Sequence, residues 1–132
     1  MVHVVVVDTS AVLDAILDRI ENPEFVALVS KAKHGKITIV IPEIVLFELA
    51  WVLKSRYEKV KQDIVLILRA LCSIKNVQIE HAEEASQALE LFAEHGISFS
   101  DARILVTTIQ RKEAMLVTQD RKLRSVWRAL AL

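Results

Sequence analysis

Four carboxylates carry the chemistry open to this chain: Asp8, Glu48, Asp101 and Asp120. Asp8 ends the apolar run Val4-Val5-Val6-Val7 and is followed by Thr9-Ser10. Glu48 interrupts the apolar stretch from Ile44 to Leu53. Asp101 follows Ser98-Phe99-Ser100, and Asp120 stands two residues after Thr118, just past Met115-Leu116-Val117. Carboxylates gathered from such distant positions repel one another unless a cation lies between them, and a hard divalent metal is the simplest choice. An all-oxygen set selects Mg²⁺ or Mn²⁺ over Zn²⁺, because no Cys or His is placed as a ligand. The chemistry implied is metal-assisted phosphodiester hydrolysis.

Each acid also has a plain structural explanation. Asp8 and Asp120 suit helix N-caps, and Asp101 brings favourable charge to a helix N-terminus. Glu48 is harder to account for. Its helix is apolar almost all round, so burial is expected, and a buried carboxylate needs a cation, a salt bridge or a polar cleft. Ser10 and Thr118 are placed to steady the neighbouring carboxylates.

The elements that must position these residues alternate in kind. Val2 to Val7 and Ile37 to Ile41 are short β-branched runs, with shorter ones at Val77-Gln78-Ile79 and Met115-Leu116-Val117. Such runs predict strands buried on both faces. Helical spacing predicts helices over Ala11 to Ile20, Pro23 to Lys33, Pro42 to Tyr57, Val60 to Cys72, Ala82 to Glu94, Ser100 to Lys112 and Arg121 to Leu130. Strands alternating with long crossovers predict an α/β fold: a three-layer α/β/α sandwich around a parallel sheet. In such sheets ligands bind beyond the carboxyl ends of the strands, which is where Asp8 falls.

The 132 residues form one expected domain, 1–132, with no linker or repeat. Lys plus Arg and Asp plus Glu are both 17, so no net positive charge announces nucleic acid. If four acids surround metal, however, the remaining surface has a basic surplus for phosphates. Arg103, Arg121, Lys122 and Arg124 lie beside the acids and are candidates for RNA contact, although a solvated helix face explains them equally. The single Cys72 excludes an internal disulfide framework, fits the cytoplasm, and is expected in the core of a helical hairpin. The N-terminus shows no signal peptide, and no apolar run is long enough to span a bilayer. A hydrophobic share of 53% hints at a surface for a partner or a second copy.

Other phosphate chemistries fit less well. A haloacid-dehalogenase-like phosphatase wants a second Asp two residues after Asp8, where Ser10 stands. A receiver domain wants an Asp after the third strand, where Glu80-His81 stands. No glycine-rich turn serves a dinucleotide and no P-loop is present. His3, His34, His81 and His95 have no zinc-binding spacing and are expected at element boundaries or on the surface.

The stretches Val5-Val6-Val7-Asp8-Thr9-Ser10-Ala11-Val12-Leu13, Phe47-Glu48-Leu49, Ser100-Asp101-Ala102 and Leu116-Val117-Thr118-Gln119-Asp120, in this order, resemble the PIN domain. They are most similar to the small VapC-type toxins of toxin–antitoxin pairs. The resemblance implies a sheet of four strands, or five with a short edge strand, in the order 3-2-1-4(-5). It also implies a ribonuclease requiring Mg²⁺ or Mn²⁺, which leaves a 5′-phosphate and a 3′-hydroxyl. Asp8, Glu48, Asp101 and Asp120 match the family's acidic quartet, and Ser10 and Thr118 match its supporting hydroxyls; Thr9 adjoins them. A homodimer inhibited by a small antitoxin protein is implied as well. The helix after Asp101 is less alanine-rich than the family pattern, and the chain stops soon after Trp127, which leaves little room for a fifth strand. Two alternatives remain open: a PIN nuclease of RNA processing or quality control, and an RNA- or partner-binding protein with little or no cleavage activity.

Overall fold

Parallel pairing of three β-branched segments organises the computed structural model, which describes residues 3–17 and 24–131. The strands are β1 (His3–Val6), β2 (Ile37–Ile41) and β3 (Val77–Ile79), in the order β1-β2-β3. Val5 pairs with Ile39, and Ile39 in turn with Val77. The central strand β2 buries Ile37, Ile39 and Ile41 fully on one face and half-buries Thr38 and Val40 on the other.

The chain divides into two compact units, Met1–Ala82 and Glu83–Leu132. In the first, α1 (Thr9–Ile16) packs on α2 (Glu24–Lys33) and α3 (Glu43–Ser55). Helix α2 lies against β2, while α4 (Lys61–Cys72) lies against α3 and β3. A parallel sheet flanked by helices results, built around the fully buried Ile39, Ile41, Leu46, Leu49, Leu53, Ile64 and Leu68. Helix α2 ends in a left-handed Gly35 with φ +75°, a conformation that glycine adopts without a Cβ clash. Gly35 N–H donates to Ala32 O and Lys36 N–H to Lys31 O, closing the helix end. Asn76 Nδ2 donates to Ala32 O at 2.8 Å and so ties the turn before β3 to α2.

The second unit carries α5 (which opens at Ala82 and runs to Glu94), α6 (Phe99–Ile109) and α7 (Arg121–Leu130). Phe92 and Phe99 meet edge to face, with ring centroids 5.8 Å apart, and bracket the turn between α5 and α6.

Several expectations change. The fourth strand does not form: residues 114–118 take no strand conformation, and Met115 and Val117 are 83% and 84% exposed. A three-residue apolar run becomes a strand only if a ladder partner takes its backbone groups, and among the described residues the sheet has three strands. Nor does a fifth strand appear among them. Helix α1 begins at Thr9, two residues earlier than the pattern suggests, because Asp8 caps it. Pro23 and residues 18–20 lie outside the described residues. Cys72 is exposed at the last residue of α4 rather than in a core, and partial burial of its thiol raises its pKa. No helix among the described residues is long and apolar enough to cross a membrane.

Candidate active site

The carboxyl edge of the sheet in the first unit holds two of the four acids. Asp8 follows β1 with extended backbone and caps α1: its Oδ1 accepts from Ala11 N–H at 3.0 Å and from the Ser10 hydroxyl at 2.9 Å. Those two donors, the Ala11 N–H first, hold the Asp8 carboxyl below its ordinary value of 3.8. The next residue makes the long connection. Thr9 Oγ1 donates to Glu48 Oε2 at 2.9 Å, joining residues 39 positions apart. One loop therefore steadies its own acid through Ser10 and a second acid through Thr9.

The burial expected for Glu48 is corrected. Helix α3 buries Val45, Leu46, Leu49, Ala50 and Leu53 and leaves Ile44, Glu48 and Trp51 exposed. These last three recur at i, i+4 and i+7, so they share one face of the helix. Composition alone makes α3 look buried all round, but its apolar residues are split between a core face and an open one. Glu48 thus needs no compensating cation to avoid a desolvation cost. Its link to the site is the Thr9 hydroxyl.

The acid that is buried is Glu43, at 9% exposure, which composition did not single out. Its Oε2 lies 2.7 Å from Nδ1 of His81, and its backbone N–H donates to Glu80 Oε1 at 3.3 Å. Glu80 and His81 directly follow β3, so they anchor the start of α3, and with it Glu48, to the carboxyl edge of the sheet. His81 is exposed, as expected of it, yet it also has this partner. It takes a left-handed φ of +54°, a turn of which a histidine at a strand end gives no hint in the sequence.

In the second unit, Asp101 and Asp120 are each framed locally. The Ser98 hydroxyl accepts from Asp101 N–H at 3.0 Å and caps α6. That leaves the Asp101 carboxylate without a hydrogen-bond partner among the described residues. Thr118 Oγ1 accepts from Asp120 N–H at 3.0 Å, and Asp120 Oδ1 accepts from Lys122 and Leu123 N–H at 2.9 and 3.0 Å. Arg124 Nη2 donates to Thr118 O and braces the same turn. Arg103, a candidate for RNA contact, turns along α6 and donates to Thr107 Oγ1 at 2.7 Å.

Each of the four carboxylates is an oxygen donor of the kind a hard divalent cation takes. Among the described residues, Asp8 and Asp120 each keep Oδ2 without a hydrogen bond, Glu48 keeps Oε1, and Asp101 keeps both oxygens. Among the described residues none of the four pairs with Lys, Arg or His. Carboxylates held in place by hydroxyls and backbone N–H groups, with an oxygen to spare, are the ligand type Mg²⁺ and Mn²⁺ take. No three His, Cys, Asp or Glu side chains among the described residues stand close enough together to hold a metal.

The PIN-domain family model matches residues 5–128. The chain belongs to the PIN-domain family. PIN domains are a family of nucleases that typically use divalent metals, which agrees with the oxygen-only donors of this chain. A comparison with curated proteins finds no match.

Proposed function

We propose that this PIN protein is a Mg²⁺- or Mn²⁺-dependent endoribonuclease, formed as one domain over 1–132, and the toxin of a VapBC-type pair. The observation that carries the proposal is the Thr9 bridge. A hydroxyl following Asp8 fixes Glu48 from another helix, and among the described residues neither carboxylate pairs with a basic side chain. The α1 cap accounts for Asp8 Oδ1 alone, whereas the link from Thr9 to Glu48 brings a second carboxylate to the same sheet edge, as shared ion coordination requires. Asp8, Glu48, Asp101 and Asp120 would hold the ion, which when bound supplies Lewis-acid polarisation of the phosphodiester and activation of water.

The protein's own residues do the rest. Ser10 and Ala11 favour the charged form of Asp8, Thr9 orients Glu48, Ser98 sets the helix that presents Asp101, and Thr118 shapes the turn that presents Asp120. The exposed apolar residues Ile44 and Trp51 on α3 and Leu66 on α4 support an association surface, for a homodimer or a small antitoxin protein. The cytoplasm is the compartment proposed.

The test is incubation of single-stranded and structured RNA with Mg²⁺, Mn²⁺ or EDTA, comparing wild type with Asp8→Asn. Metal-dependent cutting that disappears in the variant supports the nuclease. RNA retention without cutting identifies a binding protein instead, and cutting of precursor RNA with no inhibitory partner in the cell favours a processing enzyme.

A further inference from the structure

Helix α7 is the most one-sided element of the molecule. Arg121, Arg124, Ser125 and Arg128 recur at i, i+3, i+4 and i+7 and therefore share one face. Leu123, Val126, Trp127 and Leu130 fall on the opposite side, with Leu123 buried. The same four polar residues line an open hollow of about 260 Å³.

An ordinary solvated helix face mixes signs, because i,i+4 ion pairs stabilise it and like charges at that spacing do the reverse. Helix α7 has four basic residues and no acid, in a chain whose net charge is zero. Among the described residues no carboxylate pairs with Arg121, Arg124 or Arg128. Arg124 is already braced by its bond to Thr118 O, which leaves further guanidinium N–H groups for a ligand. The helix N-terminus is not the attraction, since Asp120 already satisfies the Lys122 and Leu123 N–H groups. Lys122 stands apart from the stripe: a Cβ at Gly96 would come within 2.7 Å of its Cε and Nζ, so its ammonium lies over that turn.

We infer that the Arg121–Arg124–Ser125–Arg128 face of α7 is a track for the ribose-phosphate backbone of single-stranded RNA, starting beside Asp120 and leading away from it. The inference rests on the nuclease proposal and deepens it. Planar guanidinium groups match phosphate oxygens in pairs, and the Ser125 hydroxyl adds a neutral donor between them. Contacts of this kind fix the register of a strand without reading its sequence. The stripe thus sets where the backbone runs, while cleavage preference is decided elsewhere. Lys122, held over Gly96, is not part of the track.

The experiment measures binding without cleavage. The full chain carrying Asp8→Asn is titrated in EDTA with a fluorescein-labelled single-stranded RNA of mixed sequence, over a series of salt concentrations. Each phosphate neutralised on a single strand contributes about 0.7 to the slope of log affinity against log salt. Adding R121Q and R128Q together lowers that slope by about 1.4 and weakens binding roughly 10- to 30-fold at 0.1 M salt. R121K with R128K restores most of the slope, because charge is kept and only the fork geometry is lost. Far-UV circular dichroism verifies that α7 persists in each variant.

An unchanged slope in the Gln pair, or no RNA binding by the parent, overturns the track. So does a Gln pair that releases polyglutamate but not RNA, which would make the stripe a seat for an acidic protein segment. The nuclease proposal fails by a different result, the absence of metal-dependent cutting by wild type.

Discussion

The two units share one means of holding an acid, since Asp8 is framed locally by Ser10 and Ala11, and differ in the other, which only Glu48 uses. In the first unit a hydrogen bond reaching across 39 residues ties Glu48 to the loop that carries Asp8. In the second, Asp101 and Asp120 are set by hydroxyls only two or three residues away, Ser98 and Thr118. A local frame forms whenever its helix forms, whereas a long-range frame forms only when the sheet and α3 are both in place. The lesson is that substitutions at the Thr9–Glu48 bridge should register in activity, and those in the local frames of Asp101 and Asp120 first in helix stability.

The largest effect expected is the loss of charge at Asp8 or Asp120. Asparagine caps a helix about as well as aspartate, so Asp8→Asn and Asp120→Asn keep α1 and α7 while removing a ligand. Charge stabilisation by a metal is worth several kcal/mol. At 1.36 kcal/mol per decade, RNA cleavage should fall by about 10²- to 10⁴-fold, with the melting temperature little changed. Asp120→Ala removes cap and charge together and should cost about 1 kcal/mol of stability as well. Should Asp8→Asn cut RNA at the wild-type rate, the catalytic role of this edge is lost.

Next comes the bridge itself. Thr9→Val is close to isosteric but cannot donate to Glu48 Oε2, and groups that orient metal ligands typically account for about 10- to 100-fold in affinity or activity. The Mg²⁺ concentration giving half-maximal cleavage should rise by that order, while thermal stability moves little, because the pair is exposed. A Thr9→Val protein with unaltered metal requirement would reduce the bridge to a surface contact and erase the distinction between the units.

Ser98→Ala is the counterpart. It removes the side-chain cap that accepts from Asp101 N–H and should cost about 1 kcal/mol by denaturant unfolding. At saturating metal the cleavage rate should stay within a few-fold of wild type. A large fall in rate with unchanged stability would reverse the comparison, making Ser98 the positioning group and α6 insensitive to its cap.

Much of this was legible from the chain because it is local. The bounds of β2, β3, α5 and α7 follow from β-branched runs, from helical periodicity and from caps such as Asp120. The caps at Asp8 and Asp120 and the first-turn place of Asp101 were legible for the same reason, whereas Glu48 drew attention only as the acid inside an apolar run. What escaped was tertiary. Whether Glu48 faces a core or solvent depends on which stripe of α3 meets its neighbours, and an evenly apolar helix conceals that choice. Glu43 and His81 are 38 residues apart and meet only because β2 and β3 pair in parallel. The run at Met115–Val117 reads as a strand, yet strand identity depends on a ladder partner, which three residues cannot specify.

The smallest effect separates the two donors on Asp8. Its pKa lies below 3.8 because the Ala11 N–H and, next, the Ser10 hydroxyl favour the charged carboxylate. A depressed folded-state pKa contributes stability above the unfolded value, and that contribution is lost as pH falls through the folded one. The wild type should therefore lose stability relative to Asp8→Asn only below about pH 3.8, and only slightly, since an exposed carboxylate is well screened. Ser10→Ala removes the second donor but leaves the first, so Asp8 should titrate closer to 3.8 in carboxyl-detected NMR while α1 stays capped. If Asp8 already titrates at or above 3.8 in the wild type, its hydrogen bonds do not favour the charged form. Ser10 would then have no part in keeping this carboxylate ready for a cation.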